Sequence, residues 1–172
     1  QMDIFRRAAP LHVIQPPYNI FERQIEQDVL PYVHKHTLKT LTYGALCRGL
    51  LTGRMKPDTQ FTGDDLRKVD LKFQQPRYGQ YLDAVAQLER FARERFKKSV
   101  LALAVRWLLD QPDVSIALWG ARRPDQLDPV DEAMGWTIDD MSRKAIDQIV
   151  HKTIKDPVGP EFMAPPSREA VT

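Results

Sequence analysis

The sequence predicts an α/β fold in which about three parallel strands are covered by helices, and three observations carry that expectation. Three short apolar or β-branched runs, residues 11–15, 38–43 and 114–119, each stop at turn-forming residues. Amphipathic or apolar helical patterns fill the sequence between them. Strand and helix therefore alternate, the order that generates parallel strands joined by right-handed crossovers.

The chain opens on an amphipathic helical pattern, "QMDIFRRAAP", which leads into the first strand. Asn19 with Glu22 three residues on has the form of a capping box, predicting a helix from there to His36 with a start or kink near residues 28–31. The second strand, 38–43, follows. Residues 52–78 then break the rhythm, far exceeding the typical connection of about 4–6 residues. With two glycines, two prolines and cations that include Arg54, Lys56, Arg67, Lys68 and Arg77, this stretch reads as a lid. Leu82, Val85, Leu88, Phe91 and Phe96 recur at helical spacing. Ser99 is placed to cap "VLALAVRWLLD", apolar nearly all round and hence buried, which must end by Pro112. After the third strand, Pro124 suits the first turn of a helix running to about Met134. Thr137 and Asp140 open a last helix through Met141, Ala145, Ile146 and Ile149. One domain is expected over residues 1–155, followed by a Pro-rich tail over 156–172.

Composition removes several function classes. A chain of 172 residues has room for one core. Its 25 Lys+Arg against 23 Asp+Glu leave +2, too little for a surface that coats nucleic acid or anionic lipid. Cys47, the single cysteine, excludes an intrachain disulfide and fits a reducing, cytoplasmic setting. No apolar run reaches the roughly 20 residues of a membrane-spanning helix. The N-terminus lacks a signal-peptide layout. No metal-ligand spacing stands out.

Ligands of α/β folds bind beyond the C-terminal ends of the strands. Those ends carry Gln15, then Tyr43 followed by "GALCRGLLTGR", then Trp119 followed by "GARRPDQL". Glycines let backbone N–H groups approach phosphate, and arginines add bidentate contacts. A tyrosine can stack on a heteroaromatic ring and a glutamine can bond a carboxamide. The set suits an anionic ligand with a flat ring. Taken singly, the Arg122–Arg123 pair also fits solvated surface, Tyr43 fits the core, and Gln15 fits a satisfied strand end.

The stretches "IQPPYNIFERQIEQDVLPYV", "TYGALCRGLLTGR" and "LWGARRPDQL" resemble, in order, the C-terminal half of aldo-keto reductases, a likeness that extends to potassium-channel β subunits. The resemblance implies the C-terminal part of a TIM (β/α)8 barrel and NADP(H) as cofactor. It implies that Gln15 contacts the carboxamide and Tyr43 stacks on the nicotinamide. Gly44, Leu46, Arg48, Gly49 and Arg54 would line the pyrophosphate under the 52–78 lid, and Gly120, Ala121, Arg122 and Gln126 would hold the 2′-phosphate. Where the family carries Glu-Asn near the adenine, this chain has Pro129 and Val130. The family's catalytic Asp, Tyr, Lys and His lie in the first half of the barrel. His12, His34, His36 and His151 do not match that His, Tyr43 is not the catalytic acid, and no catalytic residue is assigned.

A whole barrel needs about 250 residues. The expectation is therefore a fragment carrying the cofactor half of a reductase that converts a carbonyl substrate and NADPH to an alcohol, inactive alone. Its exposed half-barrel surface should drive self-association or pairing with an N-terminal half. The alternative is a non-catalytic nucleotide-sensing or assembly module resembling a channel β subunit.

Overall fold

Three parallel strands in the order β1–β2–β3 form the sheet: β1 is Val13–Ile14, β2 Lys39–Thr42 and β3 Ile116–Ala117. The register pairs Val13 with Lys39 and Ile14 with Thr40 on one side of β2, and Leu41 with Ile116 and Thr42 with Ala117 on the other. The structure is a computed structural model and describes residues 1–161. The Pro-rich tail predicted over 156–172 thus lies, from residue 162 onward, outside the described residues.

The strands are shorter than the apolar runs suggest. Pro16 and Pro17 have no N–H to give to a ladder, so β1 stops short of Gln15, although Tyr43 N still donates to Pro16 O at 3.1 Å. Thr40 and Thr42 point to the helix side and are fully buried. Val13 and Ile116 point to the opposite face and are about half exposed, 46% and 50%. The sheet is therefore covered on one face, and the period-2 alternation of its strands separates the two.

Five α-helices accompany it among the described residues: α1 Met2–Ala8, α2 Val29–His36, α3 Arg77–Phe96, α4 Val100–Leu109 and α5 Asp140–Thr153. The densest is α4. Ser99 Oγ accepts from Ala102 N at 3.2 Å, the expected cap, and eight of its ten residues are buried. Burial of a large aliphatic side chain is worth about 1.5–3 kcal/mol, so this helix anchors the core. Trp107 packs against Tyr18 with ring centroids 5.2 Å apart. By contrast, α1 buries none of its residues and is tied to α2 by the Tyr32 hydroxyl donating to Asp3 Oδ1 at 2.6 Å.

Three local expectations are corrected. No α-helix starts at Asn19. Its Oδ1 accepts from Phe21 N (2.9 Å) and Glu22 N (3.1 Å), a side-chain turn that competes with helix formation. A 3-10 turn, Gln24–Glu26, follows, and α2 begins only after Asp28, whose carboxylate takes Val29 N at 2.6 Å. Residues 124–134 form two 3-10 turns, Pro124–Gln126 and Asp128–Ala133, because Pro129 interrupts the donor series an α-helix needs. The last helix is capped by Asp139, which accepts from Ser142 N at 2.8 Å, and not by Thr137.

Residues 52–78 have a small core of their own. Phe61, Phe73 and Tyr78 meet at centroid distances of 5.2, 5.9 and 6.2 Å. Two 3-10 turns, Leu66–Lys68 and Leu71–Phe73, carry Asp65 and Asp70 as their caps.

Candidate cofactor site

Past the C-terminal ends of β2 and β3 the chain opens a cleft of about 1360 Å³. One wall is "YGALCRG", the second is "LWGARRPDQ", and the 52–78 loop forms the third. Of the residues singled out in the sequence, Tyr43, Gly44, Leu46, Arg48, Gly49, Arg54, Gly120, Arg122 and Gln126 all line it. Gln15 and Ala121 are exposed but do not line the cleft.

The first wall is shaped by backbone in the left-handed region. Gly44 has φ 73°, and Cys47, Arg48 and Gly49 follow with 45°, 53° and 97°. Two of these are not glycine, and L side chains resist this conformation, so the segment needs outside support. Some comes from its own turns: Cys47 N donates to Gly44 O and Gly49 N to Leu46 O, both at 2.8 Å. At Gly49 a Cβ would sit 2.9 Å from Met55 Cε, so the loop is seated directly over this backbone.

The Arg48 side chain supplies the rest. Nε donates to Asp70 Oδ2 at 2.6 Å and Nη2 bonds Glu22 Oε1, with both carboxylates fully buried. Lys72, also fully buried, pairs with Glu22 Oε1 at 3.0 Å and Asp70 Oδ1 at 3.2 Å. Burial of unpaired charge is costly, and here two carboxylates meet two cations. The Arg48 guanidinium thus braces the loop base, and this residue offers the cleft mainly its backbone.

On the second wall, Gln126 plays a comparable local part. Its Oε1 accepts from Arg122 N at 2.7 Å and Arg123 N at 3.3 Å, fixing the turn that ends in Pro124. Arg123 pairs with Asp125 at 3.0 Å. Arg54 and Arg122 are exposed, and among the described residues neither guanidinium has an ion pair or hydrogen bond. A Cβ at Gly120 would meet nothing within 4 Å. On the loop, hydrogen bonding from Arg67, helped by the nearby Arg122 charge, holds the Asp65 carboxyl down at about 2.

Sequence reasoning missed the Glu22–Asp70–Lys72 cluster. Glu22 had a ready local explanation as a capping residue, and "DLKF" carries no signal that its lysine is buried. It also passed over Asp65 and Arg67 as lining residues, while Trp119, read as the end of the third strand, lines the cleft. Cys47 is fully buried, and burial pushes its thiol well above the usual range, so it is not a thiolate nucleophile. His34 lies 3.1 Å from Asp113 and His36 2.7 Å from Arg6, and none of the four histidines lines the cleft. Among the described residues there is no group of three or more metal-ligating side chains and no helix long and apolar enough to cross a membrane.

Known proteins place this geometry in context. The chain is 58% identical over 171 residues to the aldo-keto reductase YhdN of Bacillus subtilis, covering 99% of this chain and 52% of that protein. It is 31% identical over 117 residues to the NADH-specific methylglyoxal reductase of Escherichia coli, covering 68% of this chain and 35% of that one. Similarity extends to a chain described as a putative voltage-gated potassium channel subunit beta from Schizosaccharomyces pombe, 29% identical over 117 residues, 66% of this chain and 34% of that one. The glycerol dehydrogenase AKR11B4 from Gluconobacter oxydans superposes with a TM-score of 0.84 at 55% identity, covering 95% of this chain and 49% of that structure. The chain thus spans about half the length of YhdN and of AKR11B4. Its three parallel strands and covering helices are those of a partial (β/α)8 barrel. Residues 2–151 match the aldo/keto reductase family, and with these relatives the chain belongs to that family.

Proposed function

We propose that this chain supplies the cofactor-binding side of an NADP(H)-dependent aldo-keto reductase that reduces a carbonyl compound to an alcohol. The observation that carries the reading is the cleft itself: left-handed, glycine-containing backbone on one wall and a glutamine-pinned "GARR" turn on the other, with Arg54 and Arg122 between them unpaired among the described residues. These residues fit a dinucleotide phosphate. Gly120 leaves open space where a side chain would stand, and the free donors are guanidinium groups suited to phosphate oxygens. When bound, the nicotinamide would supply the hydride.

The chain's own residues would bind and orient. Tyr43 lines the cleft at the end of β2, where its ring can lie against the nicotinamide. The backbone of 44–49 would face the pyrophosphate, Arg54 would reach it from the loop, and Arg122 would take the 2′-phosphate. Gln126 would act through the turn it fixes. Gln15 belongs to the nicotinamide end in this reading, although it lies off the lining of the present cleft. Substrate protonation falls to side chains other than those lining this cleft.

The test is a titration with NADPH and NADH followed by tryptophan fluorescence, since Trp119 lines the cleft. Charge-assisted bonds to phosphate contribute about 1.5–3 kcal/mol, so Arg122→Ala should weaken NADPH binding about 10- to 100-fold and leave NADH unchanged. Equal binding of both nucleotides would reject the 2′-phosphate assignment. The likeness to chains named as channel β subunits favours a second reading, a non-catalytic nucleotide-sensing module; cofactor retention without turnover in the complete barrel would support it. Either way, the exposed sheet face with Val13 and Ile116 is proposed to meet a second copy or a separate N-terminal half.

A further inference from the structure

We propose that Lys72 is a positioning residue for the cleft and couples nucleotide binding to the seating of the C-terminal segment 155–159. The proposal rests on the reading of the cleft as a dinucleotide site.

Lys72 is fully buried and faces two ways. Towards the cleft it pairs with Glu22 and Asp70, the two carboxylates that grip Arg48. Glu22 Oε2 also accepts from Asn19 Nδ2 at 2.7 Å, and the same amide donates to Gly44 O at 3.0 Å. The cluster therefore touches the cleft wall at Gly44 and at Arg48, two of its left-handed residues. Away from the cleft, Lys72 Nζ donates to Gly159 O at 2.7 Å and Val158 O at 3.3 Å.

Among the described residues, the segment's other hydrogen bonds and its ion pair reach α3. Val158 N donates to the Tyr81 hydroxyl at 3.1 Å, Lys155 N to Gln80 Oε1 at 2.8 Å, and Arg77 pairs with Asp156. Gly159 is seated so closely that a Cβ would overlap the Gln24 amide and the Glu161 carboxylate.

The formal charge of Glu22, Asp70, Arg48 and Lys72 sums to zero, which burial requires. If the segment leaves, the Lys72 ammonium loses two buried carbonyl acceptors and gains access to water. Its hold on Glu22 and Asp70 weakens, and with it the restraint on Arg48 backbone that L residues avoid. A nucleotide needs that backbone in place. Linkage then runs both ways: a ligand that favours the ordered cleft must favour the seated segment by the same factor.

Hydrogen exchange and NADPH titration of the full chain test this, in wild type and in the Tyr81→Phe and Lys72→Met variants. Tyr81→Phe removes only the hydroxyl that holds Val158 N and touches no charge. Without nucleotide it should speed exchange over 155–159 and over 44–53 while α4 stays protected. Saturating NADPH should slow exchange at 155–159 in wild type, and Tyr81→Phe should raise the NADPH Kd about two- to fivefold. Lys72→Met should show the same pattern more strongly; if it also exposes α4, it has unfolded the chain and Tyr81→Phe decides. NADPH binding that leaves 155–159 unmoved, or a Tyr81→Phe affinity equal to wild type, overturns the coupling while the cofactor site stands. A wild-type chain that binds neither NADPH nor NADH overturns the site, and the coupling with it.

Discussion

Arg48 and Arg122 are both arginines on the lip of one cleft, yet their surroundings give them opposite work. Two buried carboxylates claim the Arg48 guanidinium, whereas that of Arg122 is exposed and unpaired among the described residues. Asp65 is the third informative side chain. Its folded-state pKa of about 2 lies below the ordinary 3.8, chiefly through the Arg67 hydrogen bonds. A depressed carboxyl stabilises the folded loop above its ordinary pKa, and the contribution is lost as pH falls through about 2. The loop should therefore be equally tight from pH 5 to 8. Asp65→Asn at pH 7 should reproduce the acid-loosened loop, read as proteolysis within 52–78 a few times faster than in wild type with α3 and α4 still protected from exchange. Unchanged proteolysis would show that the pair does not hold the loop. At this scale the sequence revealed the two turns that border the cleft, because "GALCRG" and "GARR" follow strands, although Gln15 and Ala121 lie off its lining. It did not reveal which guanidinium is held by buried carboxylates, since that depends on Glu22, 26 positions from Arg48, and on Asp70, 22 positions away.

Elements whose signals are local were legible, and those decided by competition were not. Ser99 followed by an apolar decapeptide could hardly be anything but a capped, buried helix, and α4 is that. Substitution Ser99→Ala should cost about 1 kcal/mol in a denaturant melt, the usual worth of such a cap; no change would mean that Glu89, whose Oε2 accepts from Val100 N at 2.5 Å, is sufficient. At Asn19 the capping-box pattern was present but the asparagine side chain formed a turn, and Glu22 was drawn to buried cations. Around Pro124 the N-terminal proline was read as a helix start, but Pro129 five residues later allowed only 3-10 turns. Strand identity was clear from β-branched runs, while strand length was set by prolines and by neighbours that a sequence does not display.

At the scale of the whole molecule, the decisive feature among the described residues is a sheet covered on one face only. Thr40 and Thr42 lie beneath helices, and Val13 and Ile116 stand on the open side. Apolar surface of this kind favours association at about 25 cal/mol per Å² buried. Sedimentation at micromolar concentration should find a dimer or larger species, and Ile116→Lys with Val13→Lys should shift it to monomer; a wild-type monomer across that range would remove the self-association proposal. The half-barrel was legible because the alternation of strands and helices and the order of three motifs run along the chain. What meets the open face was not, because no local pattern in three short strands signals it.

In the proposed function, "GARR" and "GALCRG" together form a clamp for NADP(H). The most direct measurement is the affinity of the 172-residue chain for NADPH and NADH, in wild type and in Arg122→Ala. Saturable binding that prefers NADPH is expected, with the preference removed in the variant. Binding that ignores the 2′-phosphate, or a variant as selective as wild type, would contradict it.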